Sequence, residues 1–121
     1  MSKLIYLCSP CAPWGDITTK QNLAFIKKEA KKVMCLGSSH IPIVPHLFFS
    51  CILDESNEKD RRFGLNAGLE MLSKCNSLIG YVIDGYISKG MEGEIEYARS
   101  NGIRVDFMLV ELLDFLERSK D

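Results

Sequence analysis

The chain has 121 residues, room for one compact domain and not for two. Fifteen Lys plus Arg against sixteen Asp plus Glu leave a net charge of -1, so no positive field exists to hold a nucleic-acid polymer by its phosphates. With 46% apolar and 26% charged residues the composition is that of an ordinary globular protein, which excludes the disordered and low-complexity classes.

Lys3 to Leu7 is a short apolar run that ends at Cys8-Ser9-Pro10-Cys11-Ala12-Pro13-Trp14-Gly15, a pattern that predicts a buried strand delivering a loop at its C-terminal end. Asp16 or Thr18 then caps a helix to about Leu36, with Leu23, Ile26, Ala30, Val33 and Met34 as its apolar positions and Gly37 as its stop. Lys27, Lys28, Lys31 and Lys32 form its solvated face. Ile41 to Val44 is a second strand, and Pro45-His46-Leu47-Phe48-Phe49 starts an irregular or short helical stretch. The apolar run Ile41 to Leu53 is broken by Pro42, Pro45 and His46, and it falls short of the roughly 18 residues of a membrane span. The first residues, with one lysine and a short apolar stretch, lack the pattern of a secretory signal, so a soluble cytoplasmic protein without membrane partners is expected. Five cysteines are an odd set and suit reduced thiols better than a disulfide framework.

Asp54 to Glu58 is polar and reads as a flexible loop. A helix follows from about Glu58 to Lys74, with Leu65, Leu69 and Leu72 on its apolar side and Gly68 between them, marking close packing. Leu78 to Ile83 is the clearest strand and ends at Asp84-Gly85. Lys89 to Ser100 is a helix closed by Asn101-Gly102, Ile103 to Phe107 a further strand, and Leu109 to Arg118 a terminal amphipathic helix. Alternation of strands and helices predicts one α/β domain over residues 1–121, a doubly wound, Rossmann-like or flavodoxin-like parallel sheet of four to five strands with helices on both faces. Ligands bind such sheets beyond the C-terminal strand ends, here the loops starting at Cys8, Pro45 and Asp84.

On the helix after Asp84, Met91, Ile95 and Ala98 make the apolar stripe, and Glu94 projects toward the same buried side. A carboxylate there must be hydrogen-bonded, paired or functional, since burying it alone costs several kcal/mol; a boundary Glu reaching solvent is the alternative. Ser88 caps this helix and Gly90 allows close backbone approach, so its N-terminus is either a candidate anion site or a plain cap.

Three segments carry a family resemblance: Ile5-Tyr6-Leu7-Cys8-Ser9-Pro10, then Leu72-Ser73-Lys74-Cys75-Asn76-Ser77-Leu78-Ile79, then Ser88-Lys89-Gly90-Met91-Glu92-Gly93-Glu94-Ile95-Glu96-Tyr97-Ala98. Over about residues 3 to 107 the chain resembles the nucleoside 2-deoxyribosyltransferase-like superfamily, which includes deoxyribosyltransferases and nucleoside 5′-monophosphate N-glycosidases. The resemblance implies that Glu94 is a nucleophile attacking C1′ of the sugar while the base leaves, with water or a second base as acceptor. It implies that Tyr6 stands near this carboxylate and that Ser88, where the monophosphate glycosidases carry a Ser, binds a 5′-phosphate with Gly90, Met91 and Ser9 close by. His46 is a candidate contact to base or sugar, and Arg61 and Arg62 are candidate phosphate contacts. No metal or organic cofactor is required, the partner is a small nucleoside or nucleotide, and a homo-oligomer is expected, with Leu109, Leu112, Leu113 and Leu116 of the terminal helix as its apolar face.

The chain departs from the family pattern at Gly68, where relatives often carry a catalytic Asp, and at Asn76, where an Asp is frequent and structural. The Gly68 departure keeps open a protein that binds or sequesters a nucleotide without turnover. Two further alternatives rest on the cysteines. Cys8-Ser9-Pro10-Cys11 has the spacing of a thiol redox motif, although the helix starts later than such a motif needs. Cys8, Cys11, His40 and His46 make a possible zinc set whose histidines need not converge.

Overall fold

The computed structural model describes residues 2–54 and 56–120; Met1, Asp121 and Glu55 of the polar loop lie outside the described residues. The elements run β1 (Lys3–Cys8), α1 (Thr19–Cys35), β2 (His40–Ile43), α2 (Pro45–Phe49), α3 (Glu58–Leu72), β3 (Ser77–Ile83), α4 (Lys89–Ser100), β4 (Arg104–Val110) and α5 (Leu112–Arg118). All strand pairs are parallel and the sheet order is β2-β1-β3-β4, so the chain winds one way to β2 and the other way from β3 onward. The expected doubly wound α/β fold is present, with its switch point between β1 and β3.

Strand β1 sits at the centre, and its alternation feeds two cores. Ile5 and Leu7 face one cluster with Phe25, Ile26, Val33, Ile83 and Phe115, contributed by α1, β3 and α5. Tyr6 and Cys8 face the other, with Leu72, Leu78, Met91, Ile95 and Ala98 from α3, β3 and α4. Burying each large apolar side chain contributes about 1.5–3 kcal/mol.

Helix α1 starts at Thr18, which forms a capping box with Gln21. Its buried stripe is Asn22, Phe25, Ile26, Glu29, Ala30 and Val33. Met34 lies outside that stripe at 59% exposure, against the expectation from spacing. Two polar residues replace it on the core side. Asn22 accepts from Trp14 Nε1 at 3.1 Å and donates to the carbonyls of Cys11 and Ala12, while Glu29 pairs with Lys32 at 2.9 Å and Arg118 at 3.6 Å.

Further boundaries differ from the sequence expectation. Strand β4 extends to Val110, so Leu109 belongs to an edge strand, and α5 begins at Leu112. The expected apolar face of the terminal helix divides accordingly: Leu112 and Leu116 pack on the core, while Leu109 and Leu113 are exposed. In α3, Leu69 and Leu72 pack inward but Leu65 is exposed. Of the expected flexible loop, Asp54 accepts from the Ser56 N–H and Asn57 caps α3 by accepting from Lys59 and Asp60.

Candidate functional site

Period-2 alternation aims Tyr6 and Cys8 at the same side of β1, under α4, and Glu94 descends toward them from the second turn of that helix. The Tyr6 hydroxyl donates to Glu94 Oε2. The Cys8 thiol lies 3.4 Å from Glu94 Oε1 and 3.9 Å from the Met91 carbonyl oxygen, so both oxygens of the carboxylate have a donor. Burial first, and the Glu94 charge and hydrogen bond second, push the Tyr6 hydroxyl far above its ordinary 10.0 and the Cys8 thiol far above its ordinary 9.0. Each is held as a protonated donor to the carboxylate.

Gly68 of α3 closes the group from a third side. A Cβ at this position would meet the Tyr6 hydroxyl at 3.4 Å and Glu94 Oε2 at 4.0 Å, ordinary contact distances, so a side chain here would touch the Tyr6–Glu94 hydrogen-bonded pair. Asn76, by contrast, serves the fold: its Oδ1 accepts from the Leu4 N–H at 2.7 Å, and its own N–H donates to the Leu4 carbonyl.

At the start of α4, Ser88 Oγ accepts from the Met91 N–H at 3.2 Å as the N-cap. Gly90 is exposed, and a Cβ on it would find nothing nearer than Ser88 Oγ at 4.0 Å. Met91 turns its side chain into the core at 1% exposure, leaving its backbone as its polar contribution. Ser9, directly after β1, is buried, and its Oγ has no hydrogen-bond partner among the described residues. His46 reaches this loop from α2, with Nε2 3.2 Å from the Ser9 carbonyl oxygen. Arg61 and Arg62 are exposed in the first turns of α3, and Arg62 pairs with Glu58 at 3.5 Å.

The loops flanking the strand ends are tied together. Trp14, after β1, stacks on Tyr86, after β3, with centroids 4.2 Å apart and planes 6° from parallel. Asp84 and Gly85 take positive φ of 51° and 79° to make the turn that leads to Tyr86. Sequence reasoning singled out Glu94, Tyr6 and Gly68, but it read Cys8 through its spacing to Cys11 and missed its place beside the carboxylate. The available signal was the i, i+2 relation of Tyr6 and Cys8 on one strand.

The cysteine alternatives fare differently. A redox thiol needs a lowered pKa at a helix N-terminus, whereas Cys8 is raised and α1 begins only at Thr19. No disulfide joins the cysteines. Among the described residues no three His, Cys, Asp or Glu side chains are grouped to hold a metal ion, so the structure does not assemble Cys8, Cys11, His40 and His46. Among the described residues no helix is long and apolar enough to cross a membrane.

The solved 2-deoxyribosyltransferase from the psychrotolerant bacterium Bacillus psychrosaccharolyticus superposes with a TM-score of 0.67 over 88% of this chain and 72% of that one, at 21% identity. The two share a fold. No curated protein matches the chain in sequence. Residues 3–108, which include every strand carrying the site and the whole of α4, match the model described as "Domain of unknown function (DUF7768)", and the chain belongs to that family.

Proposed function

We propose that this protein binds a nucleoside or nucleoside 5′-monophosphate and breaks or transfers its N-glycosidic bond, with Glu94 as the nucleophile. The observation that carries the reading is the pairing of both Glu94 oxygens, by Tyr6 and Cys8, at the C-terminal end of the central strand. An oxocarbenium-like centre at C1′ is stabilised by an adjacent carboxylate held in one orientation. One Glu94 oxygen bonds to C1′ as the base departs with the C1′–N electron pair, and water or a second base then releases the sugar. Ser88, the exposed backbone at Gly90 and the unpartnered hydroxyl of Ser9 are the proposed phosphate contacts, aided by the α4 dipole. The fold shared with a 2-deoxyribosyltransferase supports the same reading.

Chromatographic detection of free base after incubation with a panel of nucleosides and nucleoside monophosphates tests it. Wild-type protein is expected to release base, and Glu94→Gln to lose at least about 1000-fold in rate while retaining its circular-dichroism melt, as expected for a removed nucleophile. Equal inertness of both proteins across the panel would discard the enzymatic reading. Gly68 supports a second reading, a nucleotide-binding protein without turnover, because the glycine places no side chain against the Tyr6–Glu94 pair. That reading predicts retained nucleotide by calorimetry with no base released.

A further inference from the structure

Breaking a C1′–N bond requires a place for the electron pair that the departing nitrogen receives. A neutral nucleobase leaves as a high-energy anion unless a proton is delivered to its ring, whereas a cationic base absorbs the pair by losing its own charge. The surroundings of Glu94 suit the second case. Tyr6 and Cys8 both direct their protons at the carboxylate, and burial makes both poor acids. On the side of α3, the position whose Cβ would contact Tyr6 and Glu94 is Gly68, so this slot carries no acid. His46 turns its Nε2 to the Ser9 carbonyl oxygen at 3.2 Å, an atom that can only accept, so this contact directs that nitrogen at the backbone and not at Glu94.

Building on the glycosyl-transfer reading of Glu94, we propose that Gly68 is a specificity determinant that selects N-glycosides whose leaving base is already cationic, with pyridinium nucleoside 5′-monophosphates as the substrate class. The step balances without an acid. A Glu94 oxygen forms a bond to C1′, the C1′–N bond breaks, its electron pair neutralises the ring nitrogen, and the base leaves as a neutral pyridine. Water then bonds to C1′, the C1′–O bond to Glu94 breaks to restore the carboxylate, and the water proton passes to solvent. The 5′-phosphate contacts proposed for Ser88 and Ser9 are compatible with this class, whose members carry the same 5′-phosphate.

The test compares release of base from a pyridinium nucleoside 5′-monophosphate and from adenosine, cytidine and uridine 5′-monophosphates, each corrected for its uncatalysed rate. General acids contribute about 100- to 10,000-fold, so wild-type protein is expected to favour the pyridinium compound by at least about 100-fold. Gly68→Asp is expected to narrow that ratio by tenfold or more by accelerating the neutral nucleotides, and Gly68→Asn, similar in size but not an acid, to leave the ratio wide. Thermal melts establish that both variants fold, and the wild-type comparison stands if they do not. A wild-type rate on neutral nucleotides equal to or above that on the pyridinium compound overturns the inference and leaves the Glu94 reading intact. Inertness toward every compound overturns both.

Discussion

Glu94 is a half-buried carboxylate that has no ion-pair partner among the described residues. Its two oxygens are met by a phenol and a thiol, neutral donors whose own ionisation is suppressed by the burial that brings them close. The arrangement has a consequence for stability at high pH. Cys8 and Cys75 ionise near their ordinary 9.0 when unfolded, but in the folded chain Cys8 is raised far above that by burial and Glu94, and Cys75 is pushed up to about 11 by burial. Raised folded values mean that stability is fully present below about pH 9 and is lost as pH rises, because the unfolded thiols release protons that the folded ones retain. Urea midpoints are expected to fall progressively above pH 9, with a shallower decline in Cys8→Ser, whose hydroxyl still donates to Glu94 but does not titrate. A Cys8→Ser protein with an unchanged alkaline slope would mean that this thiol contributes nothing to the linkage.

At the scale of elements, the legible and the illegible parts of the sequence separate by physical cause. Helix α4 is readable in full: Ser88 caps it, Met91, Ile95 and Ala98 bury, and Asn101 and Gly102 end it, because propensity, capping and periodicity all agree. From the same periodicity Glu94 falls on the inward side, and the family resemblance suggested what it does there. Helix α1 is where periodicity misleads. Asn22 and Glu29 occupy the buried stripe and Met34 leaves it, since side-chain hydrogen bonds and ion pairs outweigh hydrophobic pattern: Asn22 is held by the loop before the helix and Glu29 by Lys32 and by Arg118 near the other end of the chain. Cys8 went unread as a donor for a similar reason, its partner being 86 residues away. Asn22 serves the site indirectly by holding the loop after β1 through Cys11, Ala12 and Trp14. Replacing it with Ala removes its hydrogen bonds to the Cys11 and Ala12 carbonyls and from the Trp14 indole N–H, and a loss of about 2–3 kcal/mol in chemical denaturation is expected. Amide exchange should accelerate in residues 11–17 before it does so in β3, and uniform acceleration would assign Asn22 to the core alone.

At the scale of the whole molecule, the expectation of a homo-oligomer requires an uncovered apolar surface for a second copy. The terminal helix was the sequence-based candidate, yet two of its four expected contact residues, Leu112 and Leu116, are spent on this chain's own core. A second uncovered surface runs from α2 and the turn after it to α3, where Phe48, Ile52 and Phe63 are each more than half exposed. These residues are not scattered: Phe48 and Phe49 lie edge to face at 5.1 Å, and Phe49 and Phe63 at 6.2 Å, making a continuous aromatic strip. Aromatic patches of this kind are costly on a monomer and characteristic of interface centres. Self-association through α2 and α3 is therefore expected to appear in sedimentation velocity at micromolar concentration. Phe63→Glu should give monomer with little change in melting temperature, because the side chain is 60% exposed, while Leu113→Glu on the terminal helix should leave the assembly unchanged. Dissociation by Leu113→Glu and not by Phe63→Glu would return the interface to α5, and a wild-type monomer at about a hundred micromolar would mean that the aromatic strip serves some other contact.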